Sequence, residues 1–324
     1  AVAAAAAAAA LFTTSRPAVA AAANTIPLWT LDSGVEMPTL ALNTAGLSVE
    51  DTERAVRLSL ASGITHVDFH PGIERDGVAR VIRSTGRSGL FLTTKIRKAA
   101  PGTAPAAAAD EARAQIEEDL RALGVESVDM LMLRDSPDCN VMQAQWAVLE
   151  QARKAGKTRA VGVVNFCETA LRCLLATATT PPALNYIMLH AGMGPDAHGL
   201  RSFAAERGVR TMAYGALGEP GPSAELLSNP LLQRIARSHA RSPEEVALRW
   251  ALQSGVALSV RPSVEFGPAG SVCSEGARCA GGLQMRAESF AWTLADGEMR
   301  ALDALTSPDA SPTPFASAGC PTSL

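Results

Sequence analysis

Eight short, almost continuously apolar runs punctuate the chain, at 39–42, 64–69, 90–96, 128–133, 159–164, 183–188, 210–214 and 256–260. Between them lie amphipathic stretches with helical spacing of apolar residues, as at 107–123, 141–155 and 243–253. Apolar runs of this length fit strands covered on both faces, and the intervening periodicity fits helices. Eight strands, each followed by a helix-sized segment, predict a closed parallel sheet, the (β/α)8 TIM barrel of the α/β class. A doubly wound open sheet is the alternative, but no Gly-x-Gly-x-x-Gly opens the first helix. Ahead of the first run, Asp32-Ser33-Gly34 supplies the bend of a hairpin over 31–38. Such a hairpin would plug the bottom of the barrel.

Composition narrows the function classes. A chain of 324 residues with 47% hydrophobic residues can bury a substantial core. A net charge of -3 leaves no basic excess to neutralise phosphates, which argues against a nucleic-acid partner. Aromatic residues are 4% of the chain, too few for stacking platforms along a single strand. The basic cluster at 95–98 reads as a strand exit rather than a polyanion patch.

The ends differ from the middle. Residues 1–12 are an alanine-rich apolar run, too short to span a bilayer. A Ser/Thr-Arg-Pro stretch and an Ala-x-Ala site follow, which is the layout of a signal segment. This composition resembles plastid-targeting and thylakoid-transfer peptides; a low-complexity tail with no address is the other reading. Residues 307–324 are rich in Pro, Ser, Thr and Ala and read as a flexible tail. The expected organisation is an arm at 1–24, a barrel at 25–306 and a tail at 307–324. Of the six cysteines, none has zinc-site spacing. Cys273 and Cys279 read as two free surface thiols, or as a disulfide if the compartment is oxidising.

Several motifs occur in one order along the chain. They are Asp32-Ser33-Gly34 to Pro38, Gly63-Ile64-Thr65-His66-Val67-Asp68, Leu92-Thr93-Thr94-Lys95, Val128-Asp129 to Leu133, Val161-Gly162-Val163-Val164-Asn165-Phe166, Ala213-Tyr214-Gly215-Ala216-Leu217-Gly218 and Val246-Ala247-Leu248-Arg249-Trp250-Ala251-Leu252. In this order the chain, over roughly 28–305, resembles the aldo-keto reductases. The resemblance implies a catalytic group of four: an acid, a proton-donating tyrosine, a lysine that depresses the tyrosine's pKa, and a histidine that orients the carbonyl. The matching positions are Asp68, Ile73, Lys95 and Arg134. Isoleucine has no exchangeable proton, so it cannot act as general acid. Arg134 carries a fixed charge that repels Lys95 unless an acid such as Asp135 intervenes.

The resemblance also implies an NAD(P)H site. Asn165 matches the carboxamide-binding asparagine, with Val164 where a serine is usual. Tyr214 matches the aromatic ring that stacks on nicotinamide, and Tyr186 stands where a glutamine normally holds the carboxamide. Ser263, in Val260-Arg261-Pro262-Ser263, matches part of the phosphate clamp, but no arginine follows at the family's spacing. The glycine-rich stretch 266–284 is expected to be an insertion that replaces or distorts the adenosine-phosphate pocket. Weak binding of NADP(H) is therefore expected rather than tight binding.

His66, Asp68 and His70 alternate and would share one face of a strand. Two imidazoles and one acid need further ligands that the sequence does not supply, so no metal is expected. His66 reads as core packing, whereas His70 is the one side chain that could replace the missing donor. His190 reads as structural, and His198 and His239 lie on polar, helix-like stretches.

Two functions follow. The first is a catalytically degenerate barrel serving as a structural or interaction subunit of a larger plastid complex, thylakoid-associated or lumenal, docked through its terminal arms and 266–284. The second is an active NAD(P)H-dependent aldehyde or ketone reductase with a relocated donor; without the targeting reading, the location is cytoplasmic.

Overall fold

The chain enters through the expected hairpin, β1 (Leu28–Thr30) paired antiparallel with β2 (Glu36–Pro38). In the computed structural model, residues 26–308 are described, apart from 33, 197–198, 220, 264–272 and 274. The arms at 1–24 and beyond 308 therefore lie outside the described residues. Eight parallel strands follow: β3 (Leu40–Asn43), β4 (His66–Asp68), β5 (Phe91–Lys95), β6 (Val128–Arg134), β7 (Thr158–Val164), β8 (Leu184–Met188), β9 (Arg210–Tyr214) and β10 (Ala257–Val260). They pair in chain order and close where β10 meets β3, giving the predicted (β/α)8 barrel.

The helices are α1 (Val49–Ala61), α2 (Ile73–Thr85), α3 (Pro105–Leu123), α4 (Cys139–Lys154), α5 (Glu168–Leu175), α6 (Leu200–Ala205), α7 (Ser223–Ser228), α8 (Pro230–Ser238), α9 (Pro243–Gln253), α10 (Gly276–Glu288) and α11 (Asp296–Asp303). Their ends carry ordinary signals. Ser242 and Glu245 form a capping box on α9, with Pro243 in its first turn. Asp138 caps α4 by accepting from the Asn140 and Val141 amides.

Residue parity sorts the core into two layers. On β6, Met130 and Met132 face the barrel interior, whereas Leu131 and Leu133 face the helices. The interior layer also takes Leu31, Val35 and Met37, so the β1–β2 hairpin fills the bottom as a plug. The outer layer buries Trp146 and Trp250 between strands and helices. The same alternation turns Asn43, Asp68, Lys95, Tyr186, Tyr214 and Ser259 inward near the strands' C-terminal ends.

Within the glycine-rich stretch 266–284, residues from Gly276 onward form α10; 266–272 and 274 lie outside the described residues. The free-thiol reading of Cys273 and Cys279 is overturned: Cys273 is bonded to Cys279, and Cys139 to Cys173. Cys167 is disulfide-bonded as well, and no described cysteine is free.

Candidate active site

Asp68 ends β4 and Lys95 ends β5, on adjacent strands, and the two form an ion pair through Oδ1 and Nζ. Both are almost fully buried. The second carboxylate oxygen accepts from Tyr186 Oη at 2.9 Å and from Ser259 Oγ at 2.7 Å. Asn43 Nδ2 donates to the Tyr186 hydroxyl at 3.1 Å. Burial alone would raise the Asp68 pKa. The charges of Lys95 and His70, with hydrogen bonds from Lys95 and Ser259, outweigh it and hold the carboxyl below the ordinary carboxylate range.

Tyr186 is the residue whose role the sequence concealed. Its ring reaches into the barrel below Lys95, whose Nζ lies 5.3 Å from the ring centroid. Burial first, and the Asp68 charge second, push its pKa well above that of a free tyrosine. That is the reverse of an activated phenol, because burial and the neighbouring carboxylate both oppose loss of its proton. Ser259 and Asn43 were missed too. The available signal was parity: each is a polar side chain at an inward position at or near the top of a strand.

Ile73, at the position of the family's tyrosine, opens α2 with 63% of its surface exposed. His70 lies nearby. Its Nδ1 is 2.9 Å from Glu74 Oε2, and its backbone amide donates to the same oxygen at 2.9 Å. The Lys95 charge, then burial, lower the His70 pKa against the opposing pull of Glu74. Glu74 also accepts from the Gly46 amide and the Thr44 hydroxyl. Against burial, its contact with His70 and then the Gly46 amide hold its pKa low. An ionised carboxylate only accepts, so Nδ1 carries the imidazole proton. Nε2 of the neutral ring then presents a lone pair, and His70 offers a base rather than an acid near neutral pH.

Arg134 ends β6, half-buried. Asp135 follows it and lies 2.8 Å from Lys98 Nζ, with its own pKa raised by burial. His66 belongs to the core: Nδ1 donates to the Pro38 carbonyl at 2.9 Å, and Nε2 accepts from Thr93 Oγ1 at 2.7 Å. It therefore ties the plug to the barrel, and burial pushes its pKa down to about 4. No group of three or more His, Cys, Asp or Glu among the described residues could hold a metal. His239 pairs with Glu298 at 2.8 Å on the outer surface, and His198 lies outside the described residues.

The cofactor positions come together, but on one another. Asn165, in a left-handed conformation at φ 59°, accepts from Tyr214 Oη at 2.9 Å. The Tyr186 and Tyr214 rings pack with centroids 4.9 Å apart and planes at 58°. Ser263 follows β10, half-buried, next to Pro262 and two residues after Arg261. Beside it α10 crosses very closely: a Cβ on Gly282 would lie 2.0 Å from the Pro262 carbonyl oxygen.

A closed eight-stranded barrel with an acid–lysine pair at its C-terminal mouth matches what the aldo/keto reductase family model covers here, residues 39–306. The chain belongs to that family. An aldo-keto reductase of Mycobacterium sp. (strain KMS) is 31% identical over 73% of this chain and 84% of its own length. Morphine 6-dehydrogenase of Pseudomonas putida is 30% identical over 86% of this chain and 91% of its own. The crystal structure of an aldo/keto reductase from Brucella melitensis superposes with a TM-score of 0.73 at 25% identity, covering 87% of this chain and 100% of that one.

Aldo-keto reductases typically use NAD(P)H. The residues present here do not fit it as they stand. The ring expected to stack on nicotinamide already packs on Tyr186, and the expected carboxamide ligand is bonded to that same ring's hydroxyl. Asn43, Tyr186, Ser259 and Lys95 instead gather around Asp68 in one buried hydrogen-bonded network.

Proposed function

We propose that this aldo-keto reductase barrel has lost carbonyl reduction and persists as a structural or interaction subunit. Position 73 carries the reading: the mouth presents the exposed hydrocarbon of Ile73 where the family has its proton donor. Tyr186 does not replace it, because its hydroxyl proton is directed at Asp68 and its pKa is raised. Arg134 supplies a fixed positive charge in place of a neutral carbonyl-orienting group. The Asp68–Lys95 pair needs no reaction to explain its presence, since removing one partner of a buried pair costs roughly 3–5 kcal/mol.

The proposed setting is a chloroplast, at or inside the thylakoid, with docking to a larger assembly through the terminal arms and 266–284. Disulfide bonding of every described cysteine supports an oxidising compartment. The apolar, nearly uncharged first 24 residues support a signal-like or docking role. No helix among the described residues is long and apolar enough to cross a membrane.

A second reading, an active NAD(P)H-dependent reductase with His70 as donor, is favoured by the names of its relatives. Because His70 would have to be protonated first, and its pKa is lowered by the Lys95 charge and burial, its activity would rise only as pH falls below the ordinary histidine range. The test is turnover of a reactive aldehyde by the purified protein with NADPH. Turnover about 10²–10⁴-fold below that of intact relatives is expected, the range a general acid contributes. Robust turnover that His70→Ala abolishes would overturn the proposal in favour of the second reading.

A further inference from the structure

At the nicotinamide end the side chains matching the family's dinucleotide contacts bind one another, and at the phosphate end a helix packs against the strand exit. At the nicotinamide end, Tyr186 packs its ring on Tyr214 and fixes its hydroxyl at both sides, accepting from Asn43 and donating to Asp68. It is 4% exposed, so it is a resident of the site rather than a side chain waiting at its edge. Tyr214 in turn spends its hydroxyl on Asn165. At the phosphate end, α10 lies so near the strand exit that position 282 has no room for a side chain beside Pro262. Arg286, one turn further along, is 1% exposed and folds back to donate from Nη1 to the Gly282 carbonyl at 3.0 Å. The Cys273–Cys279 bond closes the start of this helix, and Arg54 of α1 donates to the Cys273 carbonyl at 2.6 Å. The helix is therefore held close against the strand exit.

We infer that Tyr186 is a built-in occupant of the nicotinamide subsite, and that Gly282 with Arg286 closes the phosphate end, so that the chain excludes the dinucleotide its family uses. The inference rests on the proposed loss of reduction but concerns binding, which is separable from turnover. Glutamine at 186 is shorter and lacks the ring, so it removes the group lying on Tyr214 while retaining a polar side chain. Phenylalanine keeps the ring and removes only the hydroxyl.

The experiment measures binding of NADPH and of reduced nicotinamide mononucleotide, which lacks the adenosine half, by nicotinamide fluorescence. It compares the full chain with Tyr186→Gln and Tyr186→Phe, each first checked for folding by circular dichroism. The wild type and Tyr186→Phe should bind neither probe. Tyr186→Gln should bind the mononucleotide at least about tenfold more tightly than wild type, a shift of roughly 1.4 kcal/mol. It should gain much less for NADPH, whose phosphate end remains closed. A folded Tyr186→Gln that gains nothing removes Tyr186 as the block. Tight NADPH binding by the wild type overturns the inference whether or not the variant folds, and if it comes without turnover the loss of reduction still stands. Aldehyde reduction by a mononucleotide-loaded Tyr186→Gln would have the opposite result: occlusion stands, and the reading that Ile73 silences the chemistry falls.

Discussion

His66 is neutral in the folded barrel because its surroundings favour that form. Burial opposes its charge, and the Pro38 carbonyl and Thr93 hydroxyl together suit one neutral tautomer. Its folded pKa of about 4 lies below the ordinary histidine value near 6.5. Between those values the unfolded chain binds a proton that the folded chain does not, so stability rises with pH across the window and falls as pH drops through it. The difference is on the order of 3 kcal/mol, from about 1.4 kcal/mol per pH unit. Urea denaturation from pH 7 to pH 4 should show that loss, and His66→Gln should flatten it. An unchanged slope in the variant would place the titration elsewhere. Asp68, whose folded pKa is lowered, keeps its contribution above the unfolded carboxylate range and loses it only at lower pH. The two groups are therefore separable by window. The Asp68–Lys95 pair and the core role of His66 were legible from the motifs and alternation. The destination of the Tyr186 hydroxyl was not, because it depends on which residues the closed barrel brings opposite one another.

At the scale of elements, strands were easier to read than helices. Every apolar run became a strand because parallel strands buried on both faces need unbroken hydrophobicity. α10 was hidden by Gly276, Gly281 and Gly282, which lower helix propensity by about 1 kcal/mol each relative to alanine. Its glycine at 282 has a tertiary reason, the close approach to Pro262, and packing overrides propensity there. The Cys139–Cys173 bond was equally hidden. Nothing in a separation of 34 residues signals that the two Cα atoms approach to 5.9 Å; only the packing of α4 beside α5 does. Closing a loop of that length stabilises by about 4 kcal/mol in the chain-entropy view. Cys139→Ser should therefore lower unfolding free energy by up to that amount, and Cys173→Ser added to it should cost little more. Equal stability of wild type with and without reductant would mean that the bond contributes nothing.

The whole molecule bears on where a partner could hold it. Among the described residues, the large hydrophobics left exposed are Leu28 at 53% and Ile73 at 63%, one in the bottom hairpin and one at the top mouth. Single apolar residues on opposite ends make no contiguous patch, and stable interfaces need a desolvated apolar centre. The first 24 residues are almost uncharged and rich in alanine. An alanine-rich segment has too little apolar surface to form a stable helix alone, so it gains order only against something else. Deleting residues 1–24 should leave barrel stability nearly unchanged, within about 0.5 kcal/mol as for changes remote from a core. The same deletion should remove the protein from thylakoid complexes in co-fractionation. If the truncated chain co-fractionates as well as the full one, the arm is not the attachment. If neither chain ever co-fractionates, the subunit reading falls.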